Sequence, residues 1–108
     1  MTRVEIAQMI AGIGLPFAYD HFSDGDHPQG PPFICFLYPG NDDFIADNIN
    51  YQKITQLVIE LYTDNVDFGL EDTVEAALIE HELPYIKDQT YIDSERMYQT
   101  TYTTEVYL

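Results

Sequence analysis

The residues of this chain that could do chemistry fall into a few acidic and imidazole-bearing groups. Asp20, His21, Asp24, Asp26 and His27 offer the oxygen and nitrogen ligands a divalent cation takes. Their spacing fits no established site. Asp24-Gly25-Asp26 lacks the next alternate Asp or Asn and the distal Glu of a calcium loop, and the two imidazoles are not at helical spacing. Turn formation by Asp in a polar loop accounts for them. Asp42, Asp43 and Asp47 could build a carboxylate pair, but acid–base work needs surroundings that drive two pKa values apart, and these lie in a polar stretch. His81 stands between Glu80 and Glu82 near a helix end, where the helix dipole favours an imidazolium. Cys35, flanked by Ile34 and Phe36, reads as a buried strand thiol, and burial works against the thiolate a nucleophile needs. Ser23 and Ser94 lack a nucleophile elbow, and no glycine-rich phosphate loop follows a strand. The chain is therefore expected to be non-enzymatic, with no catalytic residue, no metal and no cofactor.

The elements that would position these groups follow from capping and periodicity. Thr2 and Glu5 make a Thr-x-x-Glu capping box, so a helix starts at once, with Val4, Ala7, Ile10 and Ala11 at helical spacing and Gly12, Gly14 and Pro16 ending it. Phe17 to Phe22 is a short extended segment. Ser23 to Pro32, with its glycines and prolines, is a loop. Phe33 to Tyr38 is a continuous apolar run, expected at the sheet centre and buried on both faces. Asn41 to Asn50 reads as irregular around an apolar island, Phe44-Ile45-Ala46. Tyr51 to Thr63 reads as one long strand, with Leu57, Ile59 and Leu61 on one face and Val58, Glu60 and Tyr62 on the other. Asp64, Asn65 and Asp67 precede a helix from about Phe68 to Glu82, along which Leu70, Val74, Ala77, Leu78 and His81 recur at three and four. Pro84 breaks it. Tyr85 to Ile92 and Met97 to Leu108 then form a hairpin about the turn at residues 93–96. The expected fold class is α+β, a single domain over residues 1–108: an N-terminal helix, a mixed, largely antiparallel sheet of about five strands, a second helix packed on that sheet, and a C-terminal β-hairpin.

Charge narrows the function. Nineteen Asp and Glu against Arg3, Lys53, Lys87 and Arg96 give a formal net charge of -15 over 108 residues. Such a chain cannot neutralise phosphates, so sequence-independent nucleic-acid binding and attachment to an anionic membrane are both disfavoured. At 45% hydrophobic residues, with nine Tyr and six Phe, it is nonetheless too apolar for a disordered acidic tail. The first residues carry no apolar run of signal length and no run reaches transmembrane length, so the chain is expected to be intracellular where it is made.

Two segments look built for contact. Phe44-Ile45-Ala46 in an acidic loop could anchor into a partner or fold back on its own core. The terminal strand alternates Tyr98, Tyr102, Val106 and Leu108 with Gln99, Thr101, Thr103, Glu105 and Tyr107; one face reads as core and the other as wet, and at a sheet edge it could pair with a neighbouring subunit.

Gly14-Leu15-Pro16 through Tyr19, Pro31-Pro32-Phe33-Ile34, Tyr38, Asn41 to Asp47, Tyr51-Gln52-Lys53, Val58 to Asp64 and Tyr91 to Tyr98 carry a resemblance that spans nearly the whole chain. They resemble the small tail-completion or head-tail joining proteins of siphophages and prophages of Gram-positive bacteria, above all in the strand end Ile59–Asp64 and the turn Tyr91–Gln99. The resemblance implies a tail-terminator-like subunit in a ring, commonly hexameric, that caps the tail tube and meets the head connector, located in the virion tail or neck and in the bacterial cytoplasm during assembly. DNA passes such a ring's lumen, and carboxylates lining it would repel phosphates. Its site residues would be interfaces: Asp24, Asp26 and His27 in the first loop, Phe44, Ile45 and Asp47 in the second, and Thr101, Thr103, Glu105 and Tyr107 on the final strand. The alternative is an acidic inhibitor or DNA mimic that occupies a basic nucleic-acid enzyme.

Overall fold

A computed structural model describes residues 1–108. The first helix, α1 (Arg3–Ala11), starts on the expected capping box: Glu5 N–H donates to Thr2 Oγ1 at 3.1 Å and Thr2 N–H to Glu5 Oε1 at 3.0 Å. Five strands form the main sheet: β1 (Phe17–Tyr19), β2 (Phe33–Leu37), β5 (Thr55–Thr63), β6 (Ile86–Ile92) and β7 (Met97–Val106). A separate two-stranded sheet, β3 (Phe44–Ala46) with β4 (Ile49–Gln52), precedes β5, and α2 (Phe68–Glu80) joins β5 to β6. The main sheet runs β1-β2-β5-β7-β6, with β1 parallel to β2 and every other pair antiparallel. The fold is α+β, as the sequence pattern implies.

Register places Ile34, Leu61 and Thr100 in one row and Phe36, Ile59 and Tyr102 in the next, all on the same face. Against that face both helices bury their apolar stripes, Ile6, Met9 and Ile10 from α1 and Val74 and Leu78 from α2, in one continuous core. The other face carries no helix. Loop residues 20–32 cover one end of it, where Phe22 and His27 set their rings against Phe33 at 5.5 and 6.2 Å, and Phe33 stacks on Tyr62 at 4.8 Å.

The structure corrects the sequence reading in several places. The α1 stripe is Ile6, Met9 and Ile10 while Val4 is 66% exposed; two apolar stripes compete on this helix, and the one with more area to bury faces the core. The central strand is β5, with β2 beside it. The apolar run of β2 reports cover on both faces, from the helices over Ile34 and Phe36 and from the aromatic loop over Phe33, and not its rank in the sheet. The run Tyr51–Thr63 is two strands, because residues 49–52 pair locally with β3 and only residues 55–63 enter the main sheet. The terminal strand is no edge: β7 lies between β5 and β6 with both sides of its backbone paired, and the edges are β1 and β6. No helix is long and apolar enough to cross a membrane.

A candidate assembly surface

The stretch read as irregular is a hairpin arm. Asp47 and Asn48 both adopt left-handed dihedrals, φ 53° and 64°, which is the two-residue turn whose twist matches paired strands, and Asp and Asn tolerate that conformation best after glycine. Strands of three and four residues run back from it, with a bulge between Phe44 and Ile45. Neither strand pairs with the main sheet. A compact chain of this length has a radius of gyration of about 13 Å; this one, at 14.9 Å with a 49 Å long axis, is elongated.

Fastening occurs at the root. Asp43 takes hydrogen bonds from Ile54 N–H and Asn50 Nδ2, both at 2.7 Å, and these hold its carboxyl below the ordinary range, the Asn50 bond counting most. Gln56 Nε2 donates to Asp42 at 3.1 Å, and Asn41 bridges Thr55. The arm beyond this root presents its apolar side chains to solvent. Phe44 is 59% exposed, Ile45 64%, Ile49 59% and Tyr51 74%. Each forgoes most of the roughly 1.5–3 kcal/mol that full burial of a large apolar side chain gives. Phe44 therefore does not fold back on the core; the aromatic ring it pairs with is that of Tyr51, edge to face at 6.4 Å.

Beside the arm's root lies a cleft of about 780 Å³. Its apolar lining includes Leu83, Pro84, Tyr85, Ile86, Val106 and Tyr107, and its rim holds Asp42, Glu82 and Glu105. It forms where α2 ends and the chain turns into β6, next to the last residues of β7.

The remaining sequence-predicted interface residues are scattered. Asp24, Asp26 and His27 are exposed in the first loop; Ser23 Oγ donates to Asp26 at 3.1 Å, closing a turn, and His27 Nδ1 meets the Pro28 carbonyl at 2.7 Å. His21 turns instead to Asp20 at 2.9 Å. Asp47 sits exposed at the arm's tip. Thr101 and Thr103 are half-buried in mid-sheet on the helix-free face, Glu105 is exposed near the end of β7, and Tyr107 lies past that strand on the cleft wall. Backbone pairing with a neighbour through this strand is closed off, since β6 already occupies its outer side. Sheet-edge backbone belongs to β1 and to β6, whose Ile86 and Tyr91 are 77% and 46% exposed.

The buried chemistry that sequence reasoning missed joins α2 to the edge strand. Glu71, 3% exposed, and Glu75 both bind Lys87 Nζ, at 2.6 and 2.9 Å. Tyr102 and Tyr85 donate their hydroxyls to Glu75 at 2.8 and 3.0 Å, and Gln89 bridges Glu71 to Thr100. Burial alone would raise the Glu75 carboxyl, but the bonds from Lys87, Tyr102 and Tyr85 outweigh it and hold it low. The Lys87 ammonium is correspondingly stabilised, first by Glu71 and then by Glu75, and burial pushes the Tyr102 hydroxyl up. On the opposite face burial raises the Glu60 carboxyl, takes the Cys35 thiol up to about 11 and the Tyr62 hydroxyl up to about 12. The carboxylates of Glu71 and Glu75 are both bonded to Lys87 and to other neighbours, so the arrangement braces β6 against α2. The signal in sequence was a helix face carrying Glu71 and Glu75 four apart beside Val74 and Leu78, meeting a strand with a single Lys.

No protein-family model matches this chain, and no curated protein matches it. Function rests on the residues and their placement.

Proposed function

We propose that this chain is a non-enzymatic structural subunit of a phage or prophage virion, a tail-completion or terminator-type protein that works as a ring joining the tail tube to the head connector. The observation that carries the reading is the arm: a rigidly rooted hairpin that holds Phe44, Ile45, Ile49 and Tyr51 clear of their own core. An apolar surface of this kind, rimmed by polar residues, is a feature of chains that are completed by other chains. The sequence resemblance supplies the setting and names the partners, further copies of the chain, a tube protein and a connector protein.

The deciding experiment is electron microscopy of particles assembled without this protein. Tails of irregular length, or full heads and tails that fail to join, are expected. Normal particles would remove the proposed role. Salt separates this reading from an acidic inhibitor: copies that repel one another associate more tightly as salt screens them, whereas an acidic inhibitor on a basic enzyme binds more weakly.

A further inference from the structure

Charge is distributed unevenly on this molecule. Residues 44–53, the arm and the residue behind it, contain one acid, Asp47, and one base, Lys53, so the net charge of -15 resides entirely on the rest of the chain. Any contact between copies must overcome the repulsion of that remainder, and the arm is an exposed apolar segment that can approach an acidic neighbour without adding to it. Lys53 is exposed and makes no ion pair; among the lysines and arginines the ion pairs are those of Lys87. The cleft beneath Tyr85 and Ile86 offers the complement, an apolar floor within a rim where the three carboxylates of Asp42, Glu82 and Glu105 outnumber the Met1 ammonium, which donates to the Tyr107 carbonyl, and His81 stands beside them. A cleft of about 780 Å³ falls in the range that encloses a small organic ligand, ample for one aromatic and one aliphatic side chain. No residue from 44 to 53 lines the cleft of its own molecule.

We propose that the arm of one copy docks in this cleft of a second copy, Phe44 and Ile45 filling the apolar floor and Lys53 meeting the acidic rim. Donor and acceptor surfaces differ, so the contact is head-to-tail, and repeated copies close into a ring or run on as a filament. The cleft abuts the root of the arm through Asp42 and Gln56, so an occupied cleft bears directly on the root that aims the next arm. This contact rests on the ring reading and supplies its interface.

Two variants test it. Phe44→Ser with Ile45→Ser removes the anchor and leaves the cleft. Ile86→Arg fills the cleft from an edge position that is 77% exposed, and it reduces the net negative charge, so lost assembly cannot be ascribed to added repulsion. Sedimentation velocity is run at physiological salt and at about 1 M, where the screening length falls to about 3 Å. The wild-type chain is expected to assemble, more tightly at high salt. Each variant should melt like wild type and associate at least about 30-fold more weakly, the size of a hot-spot truncation. Mixed together, the two variants should form a 1:1 complex that grows no further, because only one intact arm and one intact cleft remain between them. If wild type assembles and either variant assembles as well, or if the mixture yields no 1:1 complex, the arm–cleft contact is wrong while the ring reading stands. A wild-type chain that stays monomeric at both salt concentrations overturns this contact and ring formation by the isolated chain together.

Discussion

Replacing Lys87 with methionine tests the brace that holds the edge strand to α2. The side chain keeps most of its length, so the change removes an ammonium and little packing. Glu75 retains two hydroxyl donors, from Tyr85 and Tyr102, but Glu71 is left with Gln89 alone, at 3.2 Å, on a side chain 4% exposed. Removing one partner of a buried pair costs about 3–5 kcal/mol. Lys87 is itself 36% exposed, so water can enter where the ammonium stood, and the low end, about 3 kcal/mol, is the expected loss. For a domain of this size that lowers the midpoint of thermal unfolding by about 12 °C, at roughly 4 °C per kcal/mol. Urea unfolding followed by circular dichroism measures the loss directly. A second substitution, Glu71→Gln, on the Lys87→Met background removes the stranded charge and should restore at least half of it. A Lys87→Met loss under about 1 kcal/mol, or a double variant no more stable than the single one, would show that Glu71 is not the group left stranded.

Other outcomes are open to the same instruments. Asp43→Ala should speed hydrogen exchange at the amides of residues 49–52 and weaken self-association severalfold with little change in melting; unaltered exchange would deny Asp43 its fastening role. Glu60→Gln should stabilise the fold at pH 7. Burial raises the Glu60 carboxyl above its usual 4.5, so ionising it costs stability above the raised value, and that cost disappears as pH falls toward 4.5; the variant's advantage should vanish over the same interval, and no advantage at pH 7 would refute the assignment. Glu75, held low, works in the opposite sense: Glu75→Gln should destabilise at pH 7, and the deficit should shrink as acid protonates the wild-type carboxylate below 4.5. A deficit independent of pH would point to packing instead.

Local signals were legible and distant pairings were not. The Thr2–Glu5 box, the alternation from Leu57 to Leu61, and the turn at residues 93–96 are decided within a few residues, and the structure follows them. The arm's turn was missed because Asp47-Asn48 lacks the glycine that usually announces a two-residue hairpin, although both residues tolerate the left-handed dihedrals found there. Burial of Glu71 depends on Lys87 arriving from another element, which no helical periodicity encodes. The position of β7 between β5 and β6 was equally hidden, because a strand's composition tells which face it buries and says little about which strands flank it.

That position has a consequence for how the chain is made. Strands β5 and β6 run in the same direction, joined across α2, and are bridged only by β7, which lies between them antiparallel to both. Until residues up to Val106 have left the ribosome, two inner strand edges remain open and the core lacks Tyr102 and Val106, both almost fully buried in the finished fold. Closure therefore waits for β7 and draws on its long-range pairing with β5, and until then the chain exposes open strand edges and apolar surface. Its net charge of -15 keeps neighbouring unfinished chains apart during that interval.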